Sequence, residues 1–552
     1  MSFRSPYPDV EVPDQPLFEY LFGDLGEAAE HPALIDGSTG ATTSYIVLKH
    51  RIESLAGGLG ARGFAAGEVA GMLCPNVPAF TTVFHGVLRA GGTATTINSL
   101  ATVYEIAAQL ADAKASHLFT LSAFLPQADE AASSVGLVAE NVVVIDGSDT
   151  VAPDRTSLAS LLGDGSAPAD KLIDPASQLA VLPYSSGTTG KAKGVMLTHR
   201  NLVANLEQSI ELIGVEATDR VLCVLPFFHI YGMNVLMNGG LRQRATLITM
   251  PRFDLAEFLR IIADHQTSFV FIAPPVAVAL AKHPLVDAYD LSSLRVIFSG
   301  AAPLDGALAQ AVEARLGCTV RQGYGMTEMS PVSHCIPLQR ADIPLGTVGL
   351  TIPNMECKLV DPLSGEEIGV PESGTSPQGE LWCKGPNVML GYFGDARSTG
   401  EILDQDGFLH TGDLATVSAE GYLTVVDRVK ELIKYKGYQV PPAELEALLL
   451  THPDIADAAV VGVRDADGGD SQGLRGPATC RPASRRGRDG LRHRSSGTVQ
   501  EGTAGRVRDR HSQVGLRQDP APRTAPHLLI LCARAIHRRS RTGSAGLRGR
   551  LQ

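Results

Sequence analysis

Short apolar runs separated by helical patterns recur through the first 300 residues, and that alternation limits the folds open to the chain. Val69–Leu73, Val142–Ile145, Val221–Leu225, Ala245–Thr249, Phe269–Ile272 and Val296–Phe298 read as buried strands. Strand and helix alternating at that pitch mean βαβ units and largely parallel sheets. Between two of the strands, apolar positions at helical spacing run from Asp254 to His265, with the aspartate as N-cap. Beyond residue 345 the pattern changes to Gly-rich turns and shorter alternating runs at Glu356–Val360, Gly379–Cys383 and Leu423–Val426. These predict a small antiparallel region. Pro441-Pro442-Ala443-Glu444 opens a helix to about Thr451, since proline is tolerated in a first turn, and Ala458–Val463 predicts a further strand. At 552 residues the chain needs two or more domains.

The stretch richest in chemistry is Ser185-Ser186-Gly187-Thr188-Thr189-Gly190-Lys191-Ala192-Lys193-Gly194, directly after the apolar pattern of Leu179 to Tyr184. Glycines let backbone N–H groups approach an anion, hydroxyls donate to phosphate oxygens, and lysine adds charge. The spacing differs from the P-loop, which needs four residues between its first glycine and Gly-Lys-Ser/Thr. Here Gly187 and Gly190 are three apart and Ala192 follows Lys191.

This loop resembles the phosphate-binding signature of the acyl-adenylate-forming superfamily. Further segments are similar to that family's other signatures, in its order: Phe228-His229-Ile230-Tyr231-Gly232, Tyr324-Gly325-Met326-Thr327-Glu328, Gly379-Glu380-Leu381, Thr411-Gly412-Asp413, and Asp427-Arg428 through Lys436-Gly437. The run Lys434-Tyr435-Lys436-Gly437-Tyr438-Gln439 and the start Phe3-Arg4-Ser5-Pro6-Tyr7 most resemble bacterial 4-coumarate/cinnamate–CoA ligases. The resemblance covers about residues 1–467 and then fails.

It implies an α/β fold. A large adenylation domain (1–427) carries mainly parallel sheets and a small antiparallel region. The start of a truncated α+β C-terminal domain (428–470) and a disordered tail (471–552) follow. It also implies two half-reactions: a carboxylate attacks ATP to give acyl-AMP and pyrophosphate, then coenzyme A displaces AMP. Ser185, Ser186, Gly187, Thr188, Thr189 and Lys193 would hold the departing phosphates. Glu328 would hold Mg²⁺, a hard cation suited to carboxylate oxygen, and Thr327 would donate to the α-phosphate. Gln322, Gly323 and Tyr324 would border the nucleotide, the tyrosine ring either stacking on adenine or serving as a core aromatic. Asp413 would accept from both ribose hydroxyls, and Arg428 offers a planar fork of donors.

For the acid, the resemblance points to His229, Tyr231, Gly300, Ala301, Gly325, Met326, Pro331 and Val332. Small residues at 300 and 301 leave room for a flat ring, and Met326 is an adaptable wall. Packing explains Met326 and Val332 equally well. His229 suits a gate or pocket wall better than a general base, because a carboxylic acid is already ionised at neutral pH. Lys430 falls at the family's hinge. Lys434, Lys436, Gly437 and Gln439 match positions serving AMP, coenzyme A or the thioester step, and Arg252 matches a contact to the CoA nucleotide. Hydrophobic pockets discriminate a methylene by only about 1–3 kcal/mol. Cinnamate, coumarate and medium-chain fatty acids are therefore not separated here. Fatty acyl-CoA or acyl-AMP ligation and a non-catalytic nucleotide-binding relic stay open beside the aryl-acid reading.

Charge divides the chain. Residues 471–552 hold 18 Arg, no Lys, three Asp and one Glu, a net of +14, which leaves −26 on residues 1–470. The acidic body argues against nucleic-acid binding. No uncharged apolar run is long enough to span a membrane, and no apolar signal core opens the chain, so the cytoplasm is expected. Six of the eight cysteines, Cys74, Cys223, Cys318, Cys335, Cys357 and Cys383, lie scattered through the body without Cys-x-x-Cys spacing, as suits buried thiols.

The tail contains no Phe, Tyr or Trp and one substantial apolar run, Leu528 to Cys532, so disorder is expected. Without aromatics for stacking, its arginines make a poor nucleic-acid binder. Arginine without lysine suggests GC-rich DNA read out of frame. One base forward, residues 471–476 can read PKAFVV and residues 497–523 can read APYKKVRRVEFVTAIPKSASGKILRRE, with unconstrained middle bases chosen to fit. The second string resembles the family's C-terminal catalytic-lysine motif, its SGK lysine falling at Gln518. A single-base frameshift near Gly468–Asp470 accounts for this. As written, the last lysine is Lys436.

Overall fold

A computed structural model describes residues 2–146, 155–169, 172–185 and 192–430, together with the strands Ile433–Tyr435, Tyr438–Val440, Asp457–Val460 and Ile530–Ala533. The chain divides into two compact units, Met1–Lys430 and Glu431–Gln552.

Three sheets build the first unit. In a nine-stranded sheet, Pro32–Asp36, Thr246–Thr249, Arg220–Cys223, Phe269–Ile272, Val296–Ser299 and Thr319–Gly325 run parallel in that spatial order. An eight-stranded sheet has Val69–Leu73, Thr93–Ile97, Ala115–Thr120, Val142–Val144 and Leu179–Val181 parallel. The third is a six-stranded antiparallel sheet including Glu356–Val360, Gly379–Lys384, Leu409–Val417 and Leu423–Arg428. This is the expected α/β arrangement, and the separate antiparallel sheet is built from the later segment and the N-terminal strand Phe3–Arg4. The central strands are buried on both faces: Phe269–Ile272 and Val296–Ser299 are buried throughout. That is why they read as continuous apolar runs.

Local chemistry sets the helix starts. Asp254 accepts from Glu257 N to cap Leu255–His265, the helix expected from the sequence. Thr102 and Glu105 form a reciprocal capping box at Val103–Asp112. At the start of Arg220–Cys223, buried Asp219 accepts from Arg295 at 2.5 Å, from Ser268 Oγ at 2.7 Å and from Glu216 N at 2.8 Å. It thereby ties neighbouring segments of the nine-stranded sheet. Replacing Asp219→Ala takes the nearest carboxylate from a guanidinium that is one-third exposed and leaves it Glu216 at 3.6 Å and Gly214 O at 2.9 Å. It is expected to cost about 2–3 kcal/mol, below the full price of a dry ion pair, read as a lowered urea midpoint.

The hydroxyl- and glycine-rich loop sits differently from a strand-to-helix phosphate loop. It joins Tyr184–Ser185 to Lys193–Thr198, which pair antiparallel with Ser185 opposite Lys193 and Tyr184 opposite Gly194. No helix N-terminus therefore follows it. Charge for an anion comes from side chains.

In the second unit, Ile433–Tyr435 pairs antiparallel with Tyr438–Val440, and Asp457–Val460 with Ile530–Ala533. The latter strand lies in the Arg-rich tail and overlaps the apolar run Leu528–Cys532. The rest of the tail and the helix predicted from Pro441 lie outside the described residues. The six scattered cysteines are all buried free thiols. Among the described residues no helix is long and apolar enough to cross a membrane.

Candidate active site

Parallel strands leave their carboxyl ends on one edge of a sheet, and ligands of open α/β sheets gather there. On that edge of the nine-stranded sheet, Arg220–Cys223 leads to His229, Val296–Ser299 to Gly300 and Ala301, and Thr319–Gly325 to Met326, Thr327 and Glu328. Thr246–Thr249 leads to Arg252, which is exposed. No hydrogen bond or ion pair is described between Arg252 and the other site residues.

Glu328 lies in the short turn Thr327–Met329 and is 4% exposed. Its Oε1 accepts from Ser185 Oγ at 3.0 Å and from Tyr392 OH at 2.9 Å. The eight-stranded sheet thus reaches the nine-stranded one through hydroxyl and carboxylate. Lys193 Nζ donates to Ser398 Oγ at 2.8 Å and lies 4.8 Å from the centre of the Tyr392 ring. Ser186, Gly187, Thr188 and Thr189 lie outside the described residues.

The antiparallel sheet supplies the other wall. Asp413 stands directly opposite Arg428 in the ladder of Leu409–Val417 with Leu423–Arg428. Asp413 Oδ1 accepts from Arg428 Nε at 3.1 Å, and Oδ2 from Tyr324 OH at 2.5 Å. Burial raises the pKa of Asp413, opposed by the hydrogen bond from Tyr324 and the Arg428 charge. Burial and the neighbouring carboxylate push the Tyr324 phenol well up, so it remains a donor. Each carboxylate oxygen has two lone pairs, which leaves acceptor capacity for a diol.

Several of the acyl-side residues lie against one another. Tyr231, at the head of the π-helix Tyr231–Asn238, is buried, and its OH donates to Phe298 O at 3.2 Å. A Cβ at Gly300 would meet that ring at 2.7 Å. Glycine at 300 therefore gives room to the Tyr231 ring. A Cβ at Gly325 would meet Pro331 O at 2.1 Å, so glycine lets two backbones close there. Val332 and Pro331 are buried, and Met326 is half-buried. His229 is reached by solvent, yet enough protein surrounds it to lower its pKa by burial. Its Nδ1 accepts from Tyr231 N at 3.2 Å.

The Gln322 side chain is held by backbone groups. Its Oε1 accepts from Leu304 N at 3.0 Å, and its Nε2 donates to Leu304 O at 3.0 Å and Leu345 O at 2.5 Å. Both ends of the amide hold the turn that follows Gly300, so the side chain is committed before any nucleotide arrives. That turn contains Ala301 at φ +69°, a left-handed conformation L-residues adopt only when their surroundings enforce it. Gly323, beside Gln322, faces His334 O.

Lys434 and Gln439 stand opposite each other in the short ladder of the second unit. The division between units falls directly after Lys430, and Lys436 and Gly437 lie outside the described residues. Sequence reasoning missed Tyr392 and Ser398. Nothing local marks them: a tyrosine after Gly391 reads as a turn, and its partner Glu328 is 64 residues away.

Residues 24–393 match the family model described as AMP-binding enzyme. The chain is 38% identical over 484 residues to probable 4-coumarate–CoA ligase 1 of Dictyostelium discoideum, covering 85% of this chain and 87% of that protein. It is 39% identical over 472 residues to 4-coumarate–CoA ligase 5 of Oryza sativa subsp. japonica, covering 84% and 85%. Among solved structures, ATP-bound MatB from Rhodopseudomonas palustris superposes with a TM-score of 0.71 at 27% identity, over 82% of this chain and 86% of that one.

Proposed function

The chain belongs to the AMP-binding enzyme family and is by family an AMP-forming acyl-CoA ligase, and from that premise we propose that it is a cytoplasmic ligase of the 4-coumarate/cinnamate type. It takes a small carboxylic acid, ATP and coenzyme A. The observation that carries this reading is the meeting of three sheets at one place. Ser185, from one sheet, donates to Glu328 in the turn that follows a strand of the second, and Tyr324 on that strand donates to Asp413 of the third, which pairs with Arg428.

The chemistry follows from the donors. Hydroxyls and the Lys193 ammonium suit the β- and γ-phosphates, and Asp413 suits the ribose diol. The acid enters beside His229, Tyr231 and Met326, and its carboxylate oxygen attacks the α-phosphorus as the bond to pyrophosphate breaks. The buried Glu328 carboxylate with hydroxyls beside it is a set of hard oxygen donors that fits Mg²⁺. Bound there, the ion would neutralise charge on the departing pyrophosphate. Coenzyme A then attacks the acyl carbon of acyl-AMP and AMP leaves. Lys430 as hinge, and Lys434, Lys436, Gly437, Gln439 and Arg252 toward AMP or coenzyme A, belong to this proposal.

Pyrophosphate release across cinnamate, 4-coumarate, benzoate and octanoate tests the acid class, and preference for octanoate would overturn it. The Tyr231–Gly300 contact gives a sharper expectation. Gly300→Ala forces the Tyr231 ring off Gly300 and into the acid pocket, so KM for 4-coumarate should rise about tenfold or more while KM for ATP holds. Equal changes in both would remove Tyr231 from the acid site.

A further inference from the structure

Tyr392 touches both charged groups that the site offers to a metal–triphosphate, and no other described side chain is seen to do so. Its hydroxyl donates to Glu328 Oε1 at 2.9 Å, while the Lys193 ammonium sits 4.8 Å from its ring centre. The residue is itself fixed. Gly391–Tyr392 pairs with Val195–Met196, on the strand that carries Lys193. Tyr392 N donates to Thr399 Oγ1 at 2.9 Å, and that hydroxyl donates to Asp395 O at 2.8 Å. Met389 N donates to Glu328 O at 2.9 Å, so the same segment also grips the backbone of the carboxylate. Tyr392 is 8% exposed and Glu328 4%.

We propose that Tyr392 is a positioning residue for the metal–nucleotide complex, orienting Glu328 through its hydroxyl and seating Lys193 on its ring. Both hydrogen bonds described on the Glu328 carboxylate, from Tyr392 and from Ser185, fall on Oε1. Oε2 is the oxygen this arrangement presents to a cation. A hydrogen bond to a ligating carboxylate fixes its rotamer, and removing such a partner typically costs about 10–100-fold in metal affinity. The aromatic face contributes separately, since it attracts an ammonium whether or not a hydroxyl is present. The two roles can therefore be separated by two substitutions.

The inference rests on the nucleotide reading of the site, and the test separates their failures. Binding of α,β-methylene-ATP, which cannot release pyrophosphate, is measured calorimetrically with and without MgCl₂. Mn²⁺ uptake by the same complex is followed by loss of the free-ion EPR signal. In the unaltered chain Mg²⁺ should tighten nucleotide binding. Tyr392→Phe should leave metal-free affinity within about twofold but weaken Mn²⁺ uptake about 10-fold or more. Tyr392→Leu should also lower metal-free affinity several-fold, because Lys193 loses its seat.

If the leucine variant does not fold, the phenylalanine variant decides alone. Full Mn²⁺ affinity in Tyr392→Phe overturns the positioning role, as does an equal fall with and without metal, the mark of merely structural support. If the unaltered chain binds no nucleotide, the proposed function itself fails. If it binds nucleotide without any gain from metal, only the role of Tyr392 fails.

Discussion

Restoring the reading frame by one base near codons 468–470 is expected to raise acyl-adenylate formation about 10²–10³-fold, the usual worth of one preorganised donor at a developing charge. In-line attack brings a carboxylate up to an α-phosphate, so negative charge gathers between two anions. Among the residues assigned here to hold that region, Thr327 is neutral, Lys193 is bonded to Ser398, and Glu328 is itself negative. No lysine follows Lys436 in the chain as written. In the shifted frame, a lysine can be read at the position of Gln518, within a run that would resemble the family's C-terminal motif. Single-turnover pyrophosphate release with 4-coumarate compares the two chains directly. A third chain, restored but with alanine for that lysine, should fall back by the same factor while binding ATP as before. Equal rates in the written and restored chains would remove the lysine from the chemistry. Resequencing the gene and finding no out-of-frame match would remove the frameshift.

The sequence told most where the physics is local. Asp254 caps Leu255–His265 because an aspartate one residue before an amphipathic run accepts a first-turn N–H whatever lies elsewhere. Phe269–Ile272 and Glu356–Val360 begin and end where their apolar patterns do. Other strand ends moved by a residue or two, as with Arg220–Cys223 against the expected Val221–Leu225, because pairing partners decide where a ladder stops. What escaped the sequence is set by neighbours distant along the chain. Whether a glycine-rich loop ends in a helix or an antiparallel strand depends on what Lys193–Thr198 pairs with. The space beside Gly300 depends on where Tyr231 points, and the Gln322 amide depends on Leu304 and Leu345. Tyr392 stayed hidden for the same reason. Motif spacing pointed to the ends of the strands proposed to carry the chemistry, and tertiary packing decided which side chains there are already engaged.

Asp413→Ala is expected to weaken ATP binding about 10²-fold or more with little loss of fold stability. Two ribose hydroxyls donating to one carboxylate are hydrogen bonds to a charged acceptor, worth about 1.5–3 kcal/mol each. The substitution removes both. Stability should change little because the partners left behind are cheap. Arg428 is about half exposed, and the Tyr324 phenol, which loses its hydrogen bond to the carboxylate, is itself uncharged. The buried carboxylate was moreover disfavoured in its charged form, as its raised pKa records. For folding, a carboxylate pKa higher in the native than the unfolded state makes ionised Asp413 a cost above the folded pKa. That cost is relieved as pH falls below the unfolded value.

Nucleotide affinity has the opposite sense, because the diol needs the carboxylate. ATP binding should weaken as pH falls through the raised pKa of Asp413, beginning above the ordinary aspartate value of about 3.9. Asp413→Ala should lose that part of the pH dependence. Calorimetric titration of both chains with ATP at several pH values, beside their melting curves, tests the two halves together. A variant that melts normally, binds ATP as tightly as the unaltered chain and keeps the same pH profile would show that Asp413 serves Arg428 and Tyr324 alone. The ribose would then lie elsewhere than against the antiparallel sheet, and the three-sheet site would lose one of its walls.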